Sequence, residues 1–516
     1  MPTYTLFHGT FIHLPRSPPP ASSDPGSKHK HALSIHHGVL WVSVADGRIG
    51  GCQWGVKRAE LERWVERRGW VWVQQDDHDG EKEEGGGDVV RVRVVCAREE
   101  RNEFFFPGFV DTHIHAAQYP NTGLFGSSTL LDWLETYTFP LESSFGDSNT
   151  KTAHTAYTRV ISRTLANGTT CAAYYATIHV PATNLLASLC LRRGQRAFVG
   201  RVCMDDPRFC PSYYRDASPE ESVAATEATV KHVRGIDPEG RLVAPIVTPR
   251  FAPTCTTTAM AKLGELAASG GGGGEQPLRI QTHISENRDE VSLVRDLFPD
   301  SPTYAAVYDR YNLLTPRTIL AHAVHLTPPE RALIRARKSK ISHCPASNSA
   351  LGSGLCPVRT LLDDGITVGL GTDVSGGYSP SMLEAVRQAC LVSRLVSYSA
   401  ERQTGRESLS VEEALYLATR GGAECVDLAD QIGGFDVGMC FDAQLIALGG
   451  VSPTTDGDGD GDLDDDDGSV GNVDIFGWES WEEKIHKWVW SGDDRNVKAV
   501  WVNGREVHRR KEVGSW

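Results

Sequence analysis

Positive charge is in short supply in this 516-residue chain: 52 lysines and arginines stand against 66 aspartates and glutamates, a formal net charge of −14. A surface for nucleic acid or for an anionic membrane needs clustered Lys and Arg, so both partner classes are excluded and a small molecule fits better. Long apolar runs are missing as well. None approaches the eighteen or so residues of a spanning helix, and no membrane segment is expected. The opening "MPTYTLFHGTFIHLPRS" lacks the basic-then-apolar layout of a signal peptide. Twelve cysteines lie between Cys52 and Cys440 without one C-x-x-C pair. These features predict reduced, buried thiols in a cytoplasmic protein.

Four stretches carry no apolar period: "PRSPPPASSDPGSKHKH" (15–31), "QQDDHDGEKEEGGGD" (74–88), "SGGGGGEQ" (269–276) and the acidic run near 452–469. They have the composition of surface inserts, and the acidic one is expected to be disordered. Within it Asp456, Asp458, Asp460, Gly461, Leu463 and Asp467 fall at EF-hand spacing. The flanks "VSPTT" and "GSVGNV" are poor helix formers, so a solvated insert is the reading adopted.

Between the inserts one theme repeats: a short apolar run ending in polar residues, then a helical pattern. Eight such runs occur: "GFVDTHIH", "TTCAAYYATIH", "QRAFVGRVCMD", "RLVAPIVTPRF", "LRIQTHISE", "RTILAHAVHL", "SKISHCPASN" and "GITVGLGTDVSGG". Alternating β and α units imply a parallel sheet, and eight of them imply a closed α/β TIM-type (β/α)8 barrel, placed at residues 107–430. A capping box from Ser410 to Glu413 opens one of its helices. Residues 1–106 and 431–516 read instead as alternating strands around turns, expected to pair into one small β-sandwich built from both termini.

The strand ends carry the chemistry. His113 and His115 are two apart in a strand, so they share a face at the barrel mouth. Taken alone the pair fits a metal or two hydrogen-bonded core histidines equally. Three further ends tip the balance: "QTHISE" with His283 and Glu286, "LAHAVH" with His322, and "GLGTD" with Asp373. Imidazoles and a carboxylate are ligand types for Zn2+ or Fe2+. His179, His325 and His343 also lie near strand ends without distinguishing spacing, and of these only His343 is held as a candidate for orienting a ligand.

This set of residues resembles the amidohydrolase superfamily. The segments "PGFVDTHIHAAQYP", "LLDWLETYTFP", "ANGTTCAAYYATIH", "RVCMD", "PIVTPRF", "THISENRDEV", "YDRYNLLTPRTILAH", "HCPASNSALGSG" and "GLGTDVSGGYSPSML" narrow it, resembling the guanine deaminases over most of residues 104–450. The resemblance implies hydrolytic deamination of guanine to xanthine and ammonia, a step of purine breakdown. It implies a homodimer and one metal, Zn2+ before Fe2+, because the fourth strand end, "IVTPRF", offers no Lys for a two-metal site. On the family pattern the metal ligands are His113, His115, His283 and Asp373. Glu286, His322 and Asp373 are then the catalytic groups, Glu286 carrying a proton between water and the ring. Gln118, Arg250 and Phe251 map to the substrate contacts, with His283, Glu286 and Asp373 beside them. Arg250 is expected to donate to the C6 oxygen and Phe251 to stack on the ring. Outside this context an "RF" pair is a surface Arg beside a core Phe.

Two rivals stay in view. One is deamination of another ring, such as a pterin or 8-oxoguanine, by the same apparatus, and only Gln118, Arg250 and Phe251 speak against it. The other is an inactive scaffold, for which loss of a ligand is the expected sign. None is lost. The P-C-x-x-C of the zinc deaminases that act on nucleic-acid bases is absent from the sequence.

Overall fold

A computed structural model describes residues 2–17, 33–73, 89–146, 150–271, 276–399, 406–450 and 472–511. Most of the four polar inserts, and the whole EF-hand-like run from Asp456 to Asp467, lie outside those residues. The chain divides into two compact units, one spanning Phe109–Ala429 and the other assembled from described residues before Phe109 and after Ala429. We propose these units as the domains.

In the first unit eight parallel strands pair in chain order: Phe109–His115, Thr169–Tyr175, Arg196–Gly200, Val243–Pro249, Arg279–Ile284, Thr318–His322, Lys340–His343 and Val368–Leu370. Every residue of Phe109–His115 and Thr169–Tyr175 is buried, as expected of strands covered on both faces. The last strand returns to the first. Asp373 N–H donates to the His113 carbonyl at 2.9 Å, and His115 N–H to the Val374 carbonyl at 3.0 Å. Asp111 fastens the same seam, accepting the Thr372 hydroxyl at 2.5 Å and its N–H at 3.0 Å. These bonds hold the two strand ends that carry His113, His115 and Asp373 in one register.

The crossover helices follow from apolar spacing. In Lys151–Ala166, Ala153, Ala156, Tyr157, Val160, Ile161, Thr164 and Leu165 are buried, a stripe at intervals of three and four. Gly168, at φ 80°, ends that segment where a side chain would strain the turn into the next strand.

Among the described residues the second unit is built on one branched nine-stranded sheet. Tyr4–His13 is its centre, paired on one edge with Ser34–Ser43 and on the other with Arg91–Cys96 and then Glu103–Pro107. Glu103–Pro107 pairs in turn with Ala443–Ala447, so both ends of the chain share the sheet. Alternation gives it two buried faces: Phe7 and Phe11 pack with Leu40, Phe105, Phe441 and Trp501, whereas Leu6 packs with Val39, Trp64 and Val92. All twelve cysteines are free thiols. Among the described residues no helix is long and apolar enough to cross a membrane.

Candidate active site

Five of the predicted residues converge where the barrel strands end. His113 and His115 close the first strand, His283 lies next to last in the fifth, His322 ends the sixth, and Asp373 follows the eighth by three residues. The chain bends sharply at these ends. Ser285, His322, Ala323 and Asp373 all have left-handed backbones (φ 49°, 74°, 52° and 49°). Such positions cost about 1–3 kcal/mol each in a non-glycine residue and persist where the surroundings over-determine them.

His113 Nε2 lies 3.1 Å and His115 Nε2 3.5 Å from the same Asp373 oxygen, Oδ1. His115 Nε2 and His283 Nε2 face each other at 3.1 Å. The His283 ring is fixed by its other nitrogen, which donates to the Arg250 carbonyl at 2.6 Å. Its Nε2 therefore presents a lone pair to His115. The nitrogens of His113, His115 and His283 that face Asp373 and one another at these spacings, two imidazole nitrogens being opposed at 3.1 Å, are what a shared cation would satisfy. Tetrahedral ligands at about 2.0–2.1 Å from an ion stand roughly 3.3 Å apart, which the observed spacings straddle. The donor set fits a metal. His113, His115 and Asp373 form one group with ligand atoms within 4.8 Å, and His113, His283 and His322 form another.

Burial holds His115 and His283 well below the ordinary imidazole value, helped by the neighbouring His113, so both are neutral. Burial pushes Asp373 up, but His113 beside it outweighs that and holds the carboxyl at about 2. Glu286 is pushed by burial to about 7. Its Oε2 lies 3.3 Å from His322 Nε2, while Oε1 accepts the Ser353 hydroxyl at 2.9 Å. Burial opposes a charge on His322 too, yet Glu286 and then Asp373 raise its pKa above the ordinary value. The other ring nitrogen of His322 bonds Asn348 Oδ1 at 2.9 Å. His343 is buried with neither ring nitrogen bonded, held near 3 by burial, and takes no part in these contacts.

A pocket opens over this cluster. Its apolar walls are Leu130, Trp133, Leu134, Phe251 and Leu351, and its polar lining includes Gln118, Arg250, Glu286, Glu290 and Asp373. A pocket with apolar walls and a few placed polar groups suits a small ring. All the predicted substrate residues line it: Gln118, Arg250, Phe251, His283, Glu286 and Asp373. The sequence reading missed Glu142, Tyr214, Ser353 and Asn348. "HCPASNSALGSG" contains the last two but gave no reason to assign either a role, because each contact is made only on folding. Glu142 lies two residues past "LLDWLETYTFP" and carries no spacing relative to its partners.

The chain matches the Amidohydrolase family over residues 104–507. It is 49% identical over 405 residues to the Schizosaccharomyces pombe protein named "probable guanine deaminase", covering 78% of this chain and 71% of that one. With the human guanine deaminase it shares 44% over 406 residues, 79% of this chain and 83% of the other. The crystal structure of guanine deaminase from C. acetobutylicum with guanine in the active site superposes with a TM-score of 0.74 at 29% identity, covering 98% of this chain and 100% of that one. With the barrel, the strand-end cluster and these likenesses in agreement, the chain belongs to the amidohydrolase family, among its guanine deaminases.

Proposed function

We propose that this chain hydrolyses guanine to xanthine and ammonia at the barrel mouth, with one Zn2+ held by His113, His115, His283 and Asp373. The observation that carries the reading is the joining of that ligand cluster to a slot bearing Gln118, Arg250 and Phe251. Such an ion lowers the pKa of water from about 15.7 towards about 7, making it a nucleophile at neutral pH. The protein's own groups do the rest. Glu286, poised at about 7, takes a proton from the water attacking C2 and delivers it to the ring nitrogen, then passes the remaining hydroxyl proton to the C2 amine, which leaves as ammonia as the C2–N bond breaks. Ser353 holds one Glu286 oxygen at 2.9 Å, leaving the other facing His322 and the pocket. His322, whose pKa Glu286 and Asp373 raise above the ordinary value, donates a hydrogen bond to the developing tetrahedral centre. Asp373 stays ionised and accepts a hydrogen bond from the water. Arg250 donates to the C6 oxygen and Phe251 covers a ring face.

Twelve free thiols suit a reducing compartment, and the cytoplasm is proposed on that ground. A homodimer belongs to the same reading through the family likeness.

The test offers purified protein guanine, adenine, cytosine, pterin and 8-oxoguanine under identical conditions, with ammonia and bound metal measured. Guanine should lead and one ion per chain should be found. Arg250→Ala should cost about 2–4 kcal/mol in transition-state binding, seen as lost kcat/KM on guanine. A preference for another ring, or an Arg250 variant that loses nothing, would leave the family and remove the substrate.

A further inference from the structure

Behind the substrate slot sits a carboxylate with no free capacity. Glu142 is 0% exposed, in the short helix Phe139–Ser143 that follows the first barrel strand. Its Oε1 accepts Gln118 Nε2 at 2.8 Å and Arg250 Nη2 at 3.2 Å. Its Oε2 accepts Arg250 Nη1 and the Tyr214 hydroxyl, each at 2.7 Å. An ionised carboxyl offers about four lone-pair sites, so these four donors fill it and none remains for a substrate. The helix grips Arg250 a second time, for the Phe139 ring lies 5.3 Å beneath its guanidinium carbon.

The consequence falls on the two residues that do line the slot. A carboxylate can only accept, so Gln118 must turn its amide nitrogen towards Glu142, which fixes which end is which. Its oxygen then accepts the Ser375 N–H at 3.3 Å. Arg250 commits one N–H from each terminal nitrogen to the fork, and its buried charge is balanced. Its remaining N–H groups are held in one orientation.

We propose that Glu142 is the positioning residue that sets the donor pattern offered to the C6 side of the substrate, acting through Arg250 without touching the substrate itself. The proposal rests on the guanine reading. It predicts a coupling that a merely structural residue would not show. If Glu142 works through Arg250, removing both should cost no more than removing Arg250 alone.

The experiment is a double-mutant cycle on the metal-loaded protein with guanine: Glu142→Gln, Arg250→Ala and the double variant, each checked for metal content and melting temperature. Glu142→Gln should lower kcat/KM by about a hundredfold, the size expected when one partner of a buried charge pair is removed. The double variant should match Arg250→Ala within about threefold, since coupled residues are non-additive. Should Glu142→Gln fail to fold, Glu142→Asp replaces it in the same cycle. That variant keeps the charge but withdraws the oxygens, and a smaller, equally non-additive loss is expected. Losses that multiply, or a Glu142 variant within about threefold of wild type, overturn the proposal. If wild type does not turn over guanine, the guanine reading fails separately. The same cycle is then run on the ring that wild type does accept.

Discussion

Glu286 shows how much of the chemistry rests on a single side chain's surroundings. It stands three residues after His283, beyond the end of its strand, where the left-handed turn at Ser285 swings it back towards His322. Burial brings its pKa to about 7, a value from which a carboxyl can exchange a proton at neutral pH without a large free-energy step. Glu286→Gln keeps the shape and the Ser353 contact but cannot carry a proton. We expect it to bind metal and substrate and to lose about two to four powers of ten in kcat, the usual contribution of general acid–base catalysis. A variant within about tenfold of wild type would take Glu286 out of the mechanism. Residues of this kind were legible because their spacing is local: two imidazoles two apart in a strand, a glutamate three past a histidine. Glu142, Asn348 and Ser353 were not, since their partners lie 24, 26 and 67 positions away, separations that encode nothing about geometry until the barrel closes.

Among elements, the barrel strands were legible because burial on both faces makes them apolar runs bounded by turn residues. The eighth was legible only in part. "GITVGLGTDVSGG" supplies a regular strand of just Val368–Leu370, and the chain leaves the extended form before Asp373, which sets the carboxylate against His113 and His115. Helix starts were legible where side chains cap them. The Ser410 hydroxyl accepts the Glu413 N–H at 3.1 Å and Glu413 Oε2 accepts the Ser410 N–H at 2.9 Å, the reciprocal box expected from the sequence. Ser410→Ala should therefore destabilise the protein by about 1 kcal/mol, read as a lower melting temperature, with kcat/KM for guanine unchanged. An unchanged melting temperature would show that packing of the largely buried helix Val411–Ala418 makes the cap redundant.

For the whole molecule, the expectation that both termini build one small β-sandwich came from alternation, which marks a strand without naming its neighbour. The order of pairing was not legible. Arg91–Cys96 lies parallel to Tyr4–His13 while Ser34–Ser43 lies antiparallel to it, and no feature of either strand's own pattern distinguishes the two. The barrel's function depends less on such choices than on closure. The bonds joining strand ends at His113, His115 and Asp373 bring side chains 258 and 260 residues apart into one cluster. The claim that this cluster hydrolyses guanine is tested most directly by the fate of the water. Guanine turned over by the metal-loaded protein in oxygen-18 water should give ammonia and xanthine in equal amounts, each xanthine carrying the heavy isotope at the C2 oxygen. Xanthine without the label, or no xanthine at all from metal-loaded protein, would contradict the account.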